Sequence, residues 1–216
     1  MKTIITILNY IDVGAPFVTL FFFIKPFKRL SRELLYIFAF VCIQLTTNVA
    51  ASVFELLKLA NYSIYAANIV LSYFLLSVMF YKAVGKIILW PAIGVSVLFA
   101  ACAVVSIARG DGIHSYNSIV SAVASFIITA YCLVYFYWKL VKDKQTTVLT
   151  DSAFFWVIIG IFTYYTGSFF IFISYKYLIV QGDRVIGILW RFHNLLLALF
   201  CIYTIYGLTC KNYQKT

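Results

Sequence analysis

The stretch LWRFHNLLLALF, Leu189–Phe200, sets an Arg, a His and an Asn within four positions of a run of Leu, Phe and Ala. In water those three residues would be ordinary. In a bilayer each is costly, and so marks either packing or function. What the stretch means depends on its solvent, and the rest of the chain identifies that. Its 216 residues are 64% apolar and 19% aromatic, and only 11% are charged, against roughly 25% charged in soluble domains. Mean hydropathy is +0.97. So few charges cannot cover a soluble surface. The apolar residues also gather in runs of about 20, the length that crosses roughly 30 Å of hydrocarbon at 1.5 Å per residue.

These runs predict an all-α polytopic membrane protein. It is read as one domain over residues 1–216, a seven-transmembrane-helix bundle with spans at about 4–24, 34–57, 63–84, 87–108, 118–138, 153–175 and 186–208. The breaks KPFKRLSRE, KLANYS, VGK, RGDGIHSYNS, KDKQTTVLTDS and VQGDR carry the Gly, Asp, Asn and Ser that punctuate helices. Between spans three and four, only Gly85 and Lys86 are available to make the turn. The N-terminal stretch reads as span one rather than as a cleaved leader, because Asn9 and Asp12 interrupt its apolar run.

Positive charge stays on the cytoplasmic side. Eleven Lys and Arg fall on one side: Lys25, Lys28, Arg29, Arg32, Lys82, Lys86, Lys139, Lys142, Lys144, Lys211 and Lys215. Six fall on the other: Lys2, Lys58, Arg109, Lys176, Arg184 and Arg191. The N-terminus is therefore expected outside and the C-terminus on the cytoplasmic side. The net charge of +10 then reflects this bias and contact with anionic headgroups, not nucleic acid. Lys25, Lys28, Arg29 and Arg32 should lie near Lys139, Lys142 and Lys144 if spans one and two neighbour five and six. That inner surface would meet lipid headgroups or a docking partner.

Polar residues within the spans fall on faces. Gln44, Asn48, Ala51 and Glu55 follow a spacing of four, three and four, one face of a helix. Asn9 and Asp12 share a face of span one, and Tyr65, Asn68 and Ser72 share one of span three. Span six contributes Tyr164, Gly167, Ser168 and Ile171. With the N-terminus outside, Asp12, Asn48, Glu55, Asn68, Arg191, His193 and Asn194 all fall in the outer half. A shared ligand-binding pocket there would shelter them. Arg191 is expected to turn inward and pair with Asp12 or Glu55, a carboxylate offsetting the cost of the buried guanidinium. Two plainer readings stand beside this one: hydrogen-bonded glue between helices, and an Arg191 that snorkels to the interface.

The chain also hints at duplication. FFFIKPFK (Phe21–Lys28) is echoed by YFYWKLVK (Tyr135–Lys142), LTTNVA (Leu45–Ala50) by YTGSFF (Tyr165–Phe170), and the segment around Asn68 by that around Asn194. The pieces recur in the same order, as a 3+1+3 parallel repeat with span four as linker would require. Chance similarity between aromatic-rich helices is the competing reading.

The basic first loop, FWVIIGIFTYYTGSFFIF (Phe155–Phe172) and LWRFHNLLLALF together resemble an uncharacterised family of short bacterial seven-helix integral membrane proteins. The likeness covers most of the chain. Trp190, His193 and Asn194 fall at the pattern's aromatic and polar positions. The pattern's further polar residue, one or two turns on, is replaced here by the stretch of Leu197, Ala198 and Cys201. Members often stand beside sensor histidine kinases, which implies a sensory role and such a kinase as partner. The resemblance implies no known activity.

Enzymatic readings lack residues. No Ser has a His at helical spacing, and Asp12 and Glu55 are the only acids within the spans. The five cysteines show no metal or disulfide spacing, and two histidines make a His-based metal centre unexpected. A retinal pigment needs a Lys deep in its last helix, and residues 185–209 contain none. No cofactor is expected. The leading expectation is a membrane-embedded sensor or signalling partner with an outer-half polar pocket and no effector domain of its own. The alternatives are a small SWEET-like transporter of a polar solute and a structural subunit of a larger membrane complex.

Overall fold

The protein, seen in a computed structural model, is described over residues 2–85, 89–109, 115–142, 151–181 and 183–210; of residues 2–9, 89–91, 142, 181, 183 and 184 only the backbone is described. Seven α-helices run through it: α1 (Lys2–Ile24), α2 (Arg32–Leu56), α3 (Tyr62–Val84), α4 (Leu89–Ala108), α5 (Ser118–Tyr137), α6 (Ala153–Leu178) and α7 (Asp183–Thr209). Their bounds match the expected spans to within a few residues. Five of them, α2, α3, α5, α6 and α7, are long and apolar enough to cross a membrane, and α1 and α4 are apolar over Tyr10–Ile24 and Ala92–Ala108.

Local chemistry sets the ends. Ser31 caps α2, its hydroxyl accepting from the Leu34 N–H at 3.4 Å. Asn117 caps α5 through the Val120 N–H, and the same amide oxygen accepts from Ser106 of α4 at 2.9 Å. Gly85, at φ +87°, ends α3 in a conformation that L side chains rarely adopt. Within the helices, hydroxyls bond back to the carbonyl one turn earlier, as Thr19 does to Ala15, Ser125 to Ser121 and Thr204 to Phe200. This satisfies them where no water is at hand.

Six helices close into a ring in the order α1, α2, α3, α5, α6, α7, and α4 lies outside it against α5 and α3. The closest seam is between α6 and α7, where glycines let the backbones approach. A Cβ on Gly207 would lie 2.6 Å from the Ala153 carbonyl oxygen, and one on Gly160 would meet Tyr203 and Phe200. The outward faces are apolar, with Phe17, Phe21, Val97, Phe126, Phe170, Ile173 and Ile202 exposed. A soluble monomer rarely shows so much exposed apolar surface, and a bilayer covers it. The ring's interior divides in two. Toward the Lys25–Arg32 end it is packed solid with Phe23, Ile37, Phe40, Leu76, Phe80, Val157, Ile161 and Phe200, all fully buried. Toward the opposite end it turns polar.

Candidate functional site

A cavity of about 40 Å³ lies in the polar half. It draws on five of the six ring helices and on Tyr116, just before the sixth. Asp12 comes from α1, Gln44 and Asn48 from α2, Tyr65, Asn68 and Ser72 from α3, Tyr164, Tyr165 and Ser168 from α6, and Trp190, His193 and Asn194 from α7. The positions are the first half of α1, the middle and second half of α2, the first half of α3, the middle and second half of α6 and the first half of α7. Alternating helices therefore bring all of them to one end of the bundle. By volume the space suits two or three waters, or a solute of that size.

Helical phase explains α7's share. Trp190, His193, Asn194 and Leu197 follow the i, i+3, i+4, i+7 stripe that faces one way. Both ring nitrogens of His193 are engaged: the Tyr164 hydroxyl stands 3.2 Å from Nε2 and the Ser168 hydroxyl 3.1 Å from Nδ1. One nitrogen donates and the other accepts.

A second network faces the first. The Gln44 amide Nε2 donates to Asn68 Oδ1 at 3.2 Å and to Ser72 Oγ at 3.1 Å. Asn68 Nδ2 donates back to Gln44 Oε1 at 3.4 Å, and Ser72 Oγ donates to Asn68 Oδ1 at 3.1 Å. Pro16 explains a third link. It has no N–H, so the carbonyl four residues earlier, that of Asp12, loses its helical partner. Asn48 Nδ2 donates to that carbonyl at 2.8 Å and ties α2 to α1.

Aromatic rings close the cavity on two sides. Trp190 stacks on Tyr65 with centroids 5.9 Å apart and meets Tyr116 edge-on at 5.1 Å. On the far side Phe40 packs edge-on against Phe200 at 5.4 Å, one turn beyond Gln44 and Leu197, and forms a dry floor with Tyr165.

Asp12, Asn48, Asn68, His193 and Asn194, expected in one pocket, are brought together around one cavity. Two expected members are not. Glu55 is exposed at the end of α2 and does not line it. Arg191, expected to turn inward, is absent from the lining as well, and its Nη2 lies 3.9 Å from where a Cβ on Gly187 would stand. The guanidinium runs back along its own helix toward the start of α7. Arg191 is about 100° round the helix from Trp190, and helical side chains lean toward the N-terminus. The residues missed beforehand are Tyr116, Tyr165 and Trp190. They are aromatic, and only the phase of the buried stripe could have singled them out among so many rings.

The two basic clusters were expected together if spans one and two neighbour five and six. The main seams of α1 and α2 are with each other, α7 and α3, and those of α5 and α6 with each other, α3, α4 and α7. Arg29 and Arg32 are exposed, Lys25 and Lys28 rim a groove with Phe38, and Lys139 lies 5.7 Å from the Trp138 ring. The Lys142 side chain, Lys144, His114 and the Asn9 side chain lie outside the described residues. Compared with protein-family models, with curated proteins and with solved structures, the chain matches none.

Proposed function

We propose that this protein is a sensor of a small polar solute, embedded in a bacterial cytoplasmic membrane with its N-terminus outside. The observation that carries the reading is a small polar cavity closed toward the Lys25–Arg32 end by fully packed aromatic and aliphatic side chains. A solute could be held there without a through path. The eleven-to-six Lys/Arg bias supports the cavity's outward placement. Output would pass to a separate partner, such as a histidine kinase. The basic residues at the inner ends of α1 and α2 would meet that partner or anionic lipid.

Trp190 supplies the test. The protein in lipid vesicles, compared with Trp190→Phe, should show a fluorescence change with particular small polar solutes, and those solutes should not cross the vesicle membrane. Flux above that of protein-free vesicles would replace sensing by transport. A Trp190 signal indifferent to every such solute would remove the site.

One observation favours the transporter reading. Gln44 and Asn48 on α2 have the same spacing as Tyr164 and Ser168 on α6. Tyr65, Asn68 and Ser72 on α3 have the same spacing as Trp190, His193 and Leu197 on α7. All ten line the cavity. The bond between Asn68 and Gln44 then has its counterpart between His193 and Tyr164. This register supports the 3+1+3 repeat, with Asn68 facing His193 rather than Asn194, and carriers are often built from such repeats.

A further inference from the structure

The balance of charge, donors and acceptors around the cavity identifies a class of ligand. We infer that it binds a compact monovalent cation of the ammonium type, held by the Asp12 carboxylate, Asn48 Oδ1 and the faces of Tyr65 and Trp190. The inference rests on reading the cavity as a ligand site.

Three observations meet here. The first is charge. Among the described residues Asp12 is the only Asp, Glu, Lys or Arg side chain in the lining, so the wall is acidic. The second is that many of the donors are spent on neighbouring protein groups. Both hydrogens of the Gln44 amide go to Asn68 and Ser72, the Asn68 amide donates to Gln44, the Ser72 hydroxyl to Asn68, the Tyr116 hydroxyl to Ser121, and the Asn48 amide to the Asp12 carbonyl. Acceptor capacity stands beside them, in the Asp12 carboxylate oxygens and in Asn48 Oδ1, the oxygen of a lining side chain whose amide is turned to the Asp12 carbonyl. The third observation is the pair of stacked rings, Tyr65 and Trp190, with Tyr116 edge-on beside them. The face of such a ring attracts a cation.

Size narrows the class further. About 40 Å³ accommodates two or three non-hydrogen atoms on the scale at which one water needs roughly 10–15 Å³. Ammonium and methylammonium fit, as does bare potassium. Tetramethylammonium, a sugar or an amino acid does not.

The test uses the full chain in lipid nanodiscs and needs no variant. A hydrophobic carbodiimide modifies membrane carboxyl groups, and peptide mapping separates Asp12 from the exposed Glu55. At ammonium or methylammonium chloride about ten times the dissociation constant, modification of Asp12 should slow about tenfold. Glu55 should be unaffected, and N-methylglucamine chloride at equal ionic strength should not protect. Potassium in place of methylammonium distinguishes a purely ionic site from one that needs N–H donors. Equal modification of Asp12 in ammonium and N-methylglucamine overturns the inference. So does protection by tetramethylammonium, which would mean a different, larger site. Protection by neutral formamide but not by ammonium overturns the cation and keeps the ligand site. As a second readout, ammonium should raise the melting temperature of the native chain and not that of the near-isosteric Asp12→Asn. A rise retained in that variant also overturns the inference.

Discussion

Replacing Gln44 by Met isolates the polar network between α2 and α3. The two side chains have nearly the same length, so the change removes hydrogen bonds and leaves little void. Gln44 takes part in three bonds, two as donor and one as acceptor. Side-chain bonds between transmembrane helices average about 0.6 kcal/mol and reach about 1.7. Three of them come to roughly 2 kcal/mol. A melting temperature lower by about 4–8 °C follows for a chain of this size. Unfolding in lipid–detergent mixtures, by heat or by added dodecyl sulfate, would measure it. Ser72→Ala alone removes one bond to Gln44 and one to Asn68. The double variant should therefore fall short of the sum of the singles by about the worth of the shared bond, roughly 0.6 kcal/mol. If Gln44→Met is as stable as the native chain and the cycle shows no coupling, the network does not hold α2 to α3. The cavity wall would then be looser than argued.

Gly207→Ala should destabilise by about 1–3 kcal/mol, because its Cβ would meet the Ala153 carbonyl oxygen at 2.6 Å and backbone must move; Gly14→Ala, where nothing lies within 4 Å, should gain up to about 1 kcal/mol. The same unfolding assay reads both, and equal effects would refute the close α6–α7 seam. His193→Leu leaves the Tyr164 and Ser168 hydroxyls without their ring partner and should cost about 1–3 kcal/mol, whereas His193→Gln should recover part of that. Partial burial, with Asp151 nearby, pushes the Cys210 thiol above the ordinary range for cysteine. Its thiolate fraction at neutral pH is then low, so a membrane-impermeant maleimide should react slowly at pH 7 and faster as pH rises. It should do so only in inside-out vesicles; labelling in intact cells would reverse the topology.

The helices were legible because membrane spans need length and continuous apolarity, and both stand in the chain without reference to any neighbour. The membership of the cavity was legible only in part, and α7 shows why. Polarity picked out Arg191, His193 and Asn194 alike. Phase separates them: Trp190, His193, Asn194 and Leu197 share a stripe with the buried Phe200, Cys201 and Thr204 further along, and Arg191 lies off it. A long cation can leave the face where its Cα sits, so its polarity says little about where its charge ends up. Glu55 failed for a different reason. It keeps the phase of Gln44, Asn48 and Ala51, but it is the penultimate residue of α2, which ends at Leu56, and there the same face is exposed. Periodicity gives direction around a helix but not depth along the bundle axis. The ring order itself was not legible, because single-chain patterns carry no signal for which non-consecutive helices touch.

Pro16 links the site to the rest of the bundle. A proline in a span is usually read as a kink alone. Here its missing N–H frees the Asp12 carbonyl, and Asn48 occupies it at 2.8 Å, so the residue carrying the cavity's negative charge sits on a turn tied to α2 as well as to its own helix. With one backbone bond missing, such a turn bends more easily than a fully bonded one. α1 continues unbroken from that turn to Ile24, and Lys25, Lys28 and Arg29 follow directly. On the sensing reading, a ligand that draws the Asp12 carboxylate toward Trp190 and Tyr65 would move the upper turn of α1, and the rigid lower segment would carry that motion to the basic end. The α6–α7 pair, locked at Gly160 and Gly207, would supply the fixed wall against which α1 shifts.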